Sequence, residues 1–417
     1  MREELNKYTD ETWAIVNEAE KDVGSRLPGS KGEKKFARLM AKKLEDIGVK
    51  PVEEEFAVSP RASIGGIPYA GWVGLVCCVL VYFTFISSAF WVAILGILLA
   101  LWVWLICSVF LYKTWFDPMF KQKLSRNVYG ELLPEDGKYD YTIVLSGHMD
   151  TSWCWIHSAT NNLTVIPKMV YGVLGMLYLT ATSLAGTIFY FSAPIPYFNF
   201  HAWYITCTVL PILFAPGIYM ITLWNSNDEE IASRGAMDNA TGIAIAYETM
   251  KYFKENPDKM PKNCRIVDLN CGSEEAGLRG AMDFCKRHKN DGMLTNCWNI
   301  NIDSIADKDF YEVVRGDTWQ FTKFDKDLEK MFMESMKEAG IEKPGNIVNP
   351  VGGCDSTPMH KAGVKTITFA AQNPTITTYY HTWKDVAERF DKETVGTGLD
   401  VVLRVVDKIA EKEEGKR

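Results

Sequence analysis

The sequence predicts an α/β protein: a three-layer sandwich built on a mixed, mostly parallel central sheet, interrupted by four transmembrane helices arranged as two inserted hairpins. Three observations carry that prediction. Short apolar runs of strand length alternate with amphipathic helical patterns, the rhythm of a sheet covered by helices. Two long stretches, Ala62 to Tyr112 and Met169 to Asn227, contain no Asp, Glu, Lys or Arg. Finally, histidines and carboxylates recur where apolar runs end, and in open α/β sheets ligands bind beyond the carboxyl ends of the strands.

The first elements are soluble in character. Glu11 to Val23 reads as a short helix, and Gly32 to Ile47 as a better one, with Phe36, Leu39, Met40, Leu44 and Ile47 on one face and Gly48 as its stop. Val52, Glu54 and Phe56 then alternate along Lys50 to Phe56 as in a half-buried strand. The N-terminal segment Met1 to Lys21 carries both signs of charge and no apolar core, so it does not read as a signal peptide.

At Pro60 this pattern gives way to the first uncharged stretch. Tyr69 to Ile86 and Ala89 to Leu111 are separated by Ser87-Ser88, and a bilayer core needs about 20 apolar residues per spanning helix. The second stretch divides in the same way into Met169 to Phe191, a proline-rich break from Ala193 to Tyr197, and Ala202 to Trp224, with Pro211 and Pro216 predicting a kink. Neither hairpin loop contains Lys or Arg, whereas Lys113, Lys121, Lys123, Arg126 and Lys168 flank the hairpins. The positive-inside rule then places the soluble part in the cytoplasm and the protein in the cell membrane. The lipid bilayer is an expected partner, and the hairpins are a candidate homo-oligomer interface.

The soluble pattern resumes as strands at Ser125 to Leu132 and Tyr141 to Leu145, the latter running into Gly147-His148-Met149-Asp150. After the second hairpin, Gly235 to Gly242 opens a helix from Ile243 to Phe253. A strand, Ile266 to Leu269, leads to Glu274-Glu275 and a helix from Leu278 to Arg287. Trp298 to Ile302 is a strand ending at Asp303, Lys326 to Ala339 a helix, Thr366 to Phe369 a strand, and Lys392 to Ile409 an amphipathic closing helix. Residues 1–61, 116–166 and 227–417 therefore form one discontinuous catalytic unit, with hairpins at 62–115 and 167–226.

Composition narrows the chemistry. The net charge is −7 with scattered basic residues, so no basic stripe of the kind nucleic acid requires is present. Ten cysteines occur without a single Cys-x-x-Cys spacing, which argues against a zinc ribbon or a disulfide framework. Of the six histidines, His157, His201, His288 and His360 read as ordinary hydrogen-bonded residues, whereas His148 and His381 have acidic neighbours. Asp238 stands at a helix mouth, and Glu274, Glu275 and Asp303 at strand ends. Two histidines with several carboxylates suit Zn²⁺ or a similar divalent ion. A pair of ions needs a bridging carboxylate, and an unligated carboxylate can serve as general base for hydrolysis. An isolated Glu-Glu pair would otherwise read as acids capping a helix N-terminus.

This ordered set resembles the M28 family of co-catalytic zinc peptidases, a zinc exopeptidase fold of the phosphorylase/hydrolase-like kind. The resemblance runs through Arg26-Leu27-Pro28-Gly29-Ser30, Asn127-Val128-Tyr129-Gly130, Gly147-His148-Met149-Asp150, Gly235 to Gly242, and Gly272-Ser273-Glu274-Glu275-Ala276-Gly277-Leu278. It implies two Zn²⁺, with His148 and Asp303 on one, Glu275 and His381 on the other, and Asp238 bridging. It implies Glu274 as general base, Asp150 as the partner that orients His148, Tyr380 as the position that in some relatives steadies the tetrahedral intermediate, and Asp385 as support for the histidine loop. The Gly352-Gly353-Cys354-Asp355-Ser356 turn departs from the family in carrying Ser356 where histidine is common. Arg234, Arg279 and Arg315 are candidates for binding a substrate carboxylate.

The activity implied is that of a membrane-embedded aminopeptidase acting on peptides. Alternatives are an amidase cleaving N-acyl amino acids, and a single-zinc enzyme of the glutaminyl cyclase type. The second hairpin follows directly on the His148 loop, which brings the site towards the bilayer and makes an amphipathic substrate a natural candidate.

Overall fold

The computed structural model describes residues 3–192, 200–226, 228 and 230–416. Its core is an eight-stranded sheet made of β1 (Val52–Val58), β2 (Lys123–Leu132), β3 (Tyr141–His148), β4 (Cys264–Cys271), β5 (Cys297–Ile305), β6 (Tyr311–Asp317), β7 (Gly345–Asn349) and β8 (Lys365–Ala371). The strand order is β1-β2-β4-β3-β5-β8-β6-β7. The four central strands, β4, β3, β5 and β8, run parallel, while β1, β2 and β6 introduce antiparallel pairings towards the edges. Every residue of β3 and β4 is buried, as expected of parallel strands covered on both faces.

Side chains alternate across the sheet. Ile143, Leu145 and Ile266 enter the main apolar cluster, together with Phe36, Met40, Ile243, Met250, Phe332, Val402 and Val406 of the surrounding helices. Val144, Val267 and Leu269 turn the other way, towards Phe284 and Met359. The helices that supply these residues are Lys31–Asp46, Gly242–Glu255, Arg279–Arg287, Lys326–Glu338, Ser356–Lys361 and Lys392–Glu414, which gives the three expected layers. Helix Lys31–Asp46 begins with a capping box: Ser30 accepts from the Glu33 N–H, and the Glu33 carboxylate accepts from the Gly29 N–H.

Strands β6 and β7 lie where the sequence suggested none. β7 is a short edge strand with only half-buried and exposed positions, so it lacks the apolar alternation that marks a strand in sequence. β6 pairs antiparallel with β8 and keeps Arg315 exposed in its middle.

Four helices are long and apolar enough to cross a bilayer: Ile64–Phe83, Phe90–Phe110, Ile156–Phe191 and Ile205–Thr222. The first pair is inserted between β1 and β2, the second between β3 and the turn that carries Asp238. The predicted break from Ala193 to Tyr197 lies outside the described residues. Pro211 and Pro216 are both accommodated within the helix Phe200–Thr222. Where the second pair packs, a Cβ on Gly172 would lie 2.8 Å from the Gly217 carbonyl oxygen, so the helices approach at backbone distance, as small residues allow in membrane bundles. Val76, Val79, Leu99, Leu174 and Ile212 are exposed on the outer faces.

The neck of the second pair is tightly tied. Trp155 bridges Asn225, Trp153 bridges Ala232, and Asn225 also donates to the Ile64 carbonyl at the base of the first pair.

Candidate metal centre

The sheet brings the predicted residues together at one end. His148 is the last residue of β3, and Glu274 and Glu275 follow β4. Asp303 lies within the last turn of β5 rather than beyond it, next to a register shift between Ile302 and Ile305. His381 is not at a strand end either: it sits in a loop ten residues past β8, with φ +55°. Asp238 occupies a kinked turn before helix Gly242–Glu255, and the peptide bond joining it to Asn239 is cis.

Two groups of ligand atoms form, His148 with Asp238 and Asp303, and Asp238 with Glu275 and His381. Asp238 straddles them: one carboxylate oxygen is 3.0 Å from His148 Nε2 and the other 3.0 Å from His381 Nε2. His148 Nε2 is 3.8 Å from Asp303, and His381 Nε2 is 3.0 Å from Glu275 Oε1. That Glu275 oxygen is buried with the His381 ring nitrogen as its polar neighbour, an arrangement costly for a carboxylate unless a cation answers it. The donor set, two imidazoles and three carboxylates in two groups sharing one member, therefore fits divalent cations of the zinc type.

Charge in the cleft behaves accordingly. Burial disfavours the charged form of His148, but Asp150, Asp238 and Asp303 override it and push its pKa well above the ordinary histidine value. His381 is likewise opposed by burial and driven up to about 10 by Glu275 and Asp238. Burial raises Asp238, yet the two histidines win and hold it below the usual carboxylate range. Glu274 moves well upward through burial, opposed by His148 and reinforced by Glu275, Asp355 and Asp303.

Two buried aspartates hold the turns. The Asp150 carboxylate accepts from the backbone N–H groups of Glu274 (2.9 Å) and Glu275 (3.0 Å). Its contact with His148 is longer, 3.5 Å to Nδ1, whose closer neighbour is the Asp150 carbonyl oxygen at 3.1 Å. Asp385 does for the other turn what Asp150 does here, accepting from Met237 N–H (2.8 Å) and Asp238 N–H (3.1 Å). The ring of Tyr380 stacks on His381 with centroids 3.9 Å apart. Trp155, from the neck of the second membrane pair, meets His381 edge-on at 4.6 Å and donates its backbone N–H to the His381 carbonyl.

Several residues at the site carried no functional assignment in the sequence. Arg26 is wholly buried and donates to the carbonyls of Met149, Arg234 and Gly235, tying the His148 turn to the Asp238 turn. Glu33 accepts from Ser273 N–H and Oγ, just before the glutamate pair. In the sequence it stood only as an acid at the start of the Gly32 to Ile47 helical pattern. Tyr112, at the end of the first membrane pair, is buried beside Glu274 and Glu275, whose charges add to burial in raising its pKa.

Other candidates are committed elsewhere. Arg279 is buried and bound to Asp117 and the Tyr112 carbonyl, whereas Arg234 and Arg315 are exposed. Ser356 shares a 2.8 Å hydrogen bond with Thr368 in the interior. His157 contacts the Met220 carbonyl, and His288 pairs with Glu54 and Asp291.

Histidine and carboxylate ligands gathered at the carboxyl ends of parallel strands, in a three-layer sandwich, define a zinc exopeptidase fold. Residues 222–406 match Peptidase family M28. That part of the chain is similar to the family, and the chain as a whole shares the fold of zinc-dependent exopeptidases. Similar solved structures include a zinc aminopeptidase from Bacillus subtilis, with 14% identity, TM-score 0.56, and 96% of this chain and 95% of that chain covered. A Zn-dependent exopeptidase from Parabacteroides distasonis is 13% identical, with TM-score 0.53 and coverage of 95% and 97%. A glutaminyl cyclase from Bacteroides thetaiotaomicron, solved with N-acetylhistamine, is 14% identical, with TM-score 0.54 and the same coverage.

Proposed function

We propose that the protein is a membrane-embedded aminopeptidase with two zinc ions, hydrolysing amide bonds with Glu274 as general base. The observation that carries this reading is the division of labour within the adjacent glutamates: Glu275 belongs to a ligand group, while Glu274 belongs to neither and stays half-buried at the cleft.

His148 and Asp303 would hold one ion, Glu275 and His381 the other, with Asp238 shared. Zinc bound there would make water acidic and polarise the scissile carbonyl. Glu274 accepts a proton as the water oxygen attacks the carbonyl carbon, then returns it to the departing nitrogen as the C–N bond breaks. Its position is set through its own backbone N–H, which Asp150 holds. Tyr380 acts first through its ring, which fixes the plane of His381, and Asp385 and Arg26 keep the turns in register.

Two donor groups sharing one carboxylate favour hydrolysis at two ions over cyclisation at one. The aminopeptidase assignment draws on the fold neighbours, and cleavage of N-acyl amino acids is the competing amide chemistry. Lys113, Lys121, Lys123 and Lys168 flank the apolar helices, while the Ser87-Ser88 loop carries no charge, which supports a cytoplasmic catalytic domain.

The test combines metal analysis with a substrate panel. Purified protein should carry two zinc ions per chain, and Glu274→Gln should keep both while losing at least about 10²-fold in turnover, the scale of a missing general base. One ion per chain, or loss of metal in Glu274→Gln, would overturn the assignment. Aminoacyl, dipeptide and N-acyl amino acid substrates then separate the two amide chemistries.

A further inference from the structure

Between the two pairs of apolar helices, where they meet the catalytic domain, lies an open-sided cavity of about 170 Å³. Its walls are carbon surface, contributed by Trp102, Leu105, Val173, Met176 and Trp224 among others. Space walled by carbon favours an apolar guest over water, and an engineered cavity of about 150 Å³ binds one the size of benzene. Val173 and Met169 are also 40% and 41% exposed on the outer surface of their helix, so the cavity lies just inside the face turned to the bilayer.

Three features select an occupant. First, Lys168 lines the cavity with carbon only, and its ammonium group has as its near polar neighbour His157 Nδ1, 3.5 Å away. No carboxylate among the described residues lies within ion-pairing distance of it. Second, Trp224 lines the cavity and its indole N–H is buried without an acceptor. Third, a volume of about 170 Å³ admits a segment of one hydrocarbon chain and not two chains side by side. A plain hydrocarbon would leave the ammonium and the Trp224 indole donor unanswered, whereas an anion with acceptor oxygens answers them.

We propose that this cavity seats part of the chain of a single-chain anionic amphiphile, with Lys168 holding the anionic end and the Trp224 indole donating to its polar group. Trp224 contacts Trp155 at 5.4 Å between centroids, and Trp155 contacts His381 at 4.6 Å. A guest seated here is therefore separated from the candidate metal centre by two indole rings, Trp224 and Trp155. The proposal rests on the bilayer placement of the helices and is independent of the metal chemistry.

The test uses the full-length protein in phosphatidylcholine nanodiscs, with palmitate bearing a photoreactive diazirine as the probe and mass spectrometry to locate the adducts. Adducts are expected to concentrate in residues 165–176 and 218–224 and to be displaced by unlabelled palmitate but not by hexadecanol. Lys168→Gln should reduce them about tenfold, the scale of one lost charge-assisted contact. Val173→Trp, which fills the cavity, should reduce them similarly, while Leu177→Trp, exposed on the same helix and outside the cavity, should leave them unchanged.

Equal labelling in Lys168→Gln, or equal competition by hexadecanol, would overturn the proposal. Displacement by the two-chain lipid phosphatidylglycerol as readily as by palmitate would overturn its single-chain part. A diazirine phospholipid run in parallel marks the outer faces of all four helices if they are bilayer-embedded. Failure of that label is a failure of membrane placement, and its success with scattered palmitate adducts is a failure of the site alone.

Discussion

Replacing Asp385 by Asn tests whether the two metal sites share one mechanical support. Asp385 touches neither candidate ion; it accepts from Met237 N–H at 2.8 Å and Asp238 N–H at 3.1 Å. Asparagine preserves the shape but offers one acceptor oxygen, so one of the two N–H groups faces an amide donor. A hydrogen bond to a charged group contributes about 1.5–3 kcal/mol, which converts to roughly ten- to a hundredfold in an equilibrium constant. That range agrees with the loss of metal affinity, about 10- to 100-fold, typical when an outer partner of a ligand is changed. Because Asp238 belongs to both ligand groups, the affinities for both ions should fall together. Asp150→Asn is the comparison, since Asp150 supports Glu274 and Glu275 and only the group containing Glu275 should weaken directly. Competition against a zinc chelator, resolving two binding steps, measures the effect. Wild-type affinity at both steps in Asp385→Asn, or loss at one step alone, would refute the shared support.

Three further outcomes are expected. Burial pushes the Glu248 carboxyl up to about 8, against Lys251; a raised folded-state pKa gives stability that is complete at low pH and lost as pH rises through about 8. Glu248→Gln should therefore show a smaller fall in Tm between pH 6 and 9 than wild type, and parallel Tm curves would contradict this. Gly172→Leu should lower stability by about 1–3 kcal/mol through overpacking against the Gly217 carbonyl, seen as a lower Tm in detergent; an unchanged Tm would mean the helices are not in close contact. All ten cysteines are buried, so Ser87→Cys introduces an exposed thiol, and a membrane-impermeant maleimide added to intact cells should label it if the catalytic domain is cytoplasmic.

Much of this site was readable in the sequence because its residues stand out against what surrounds them. With only six histidines in 417 residues, His148 at the end of an apolar run and His381 four residues before Asp385 were conspicuous. The charge-free stretches marked the four apolar helices for the same reason. What stayed hidden depends on long-range pairing. Glu33 looks like a helix cap, and its bond to Ser273 spans 240 residues. Arg26 reads as one basic residue before a turn, and its fork closes on carbonyls over a hundred residues away. Asp150 illustrates a subtler limit: its proximity to His148 was plain, but its carboxylate makes its shorter contacts with the backbone of Glu274 and Glu275, a choice set by how β3 and β4 align. Strand β7 was invisible because an edge strand with little burial has no apolar rhythm to betray it.

The clasped neck of the second helical pair has a consequence for how such a chain is put together. Trp155 and Asn225 face each other across a bridge, so the ends of the excursion lie side by side and the host domain continues almost as if nothing had been inserted. Closing a loop whose ends already meet costs little extra entropy as the loop lengthens, which makes this neck a natural splice point. The intervening helices can be regarded as a removable module, and the residues that would register its exchange first are those that serve both halves: Trp155, with its indole against His381, and Asn225, with its amide on the first pair.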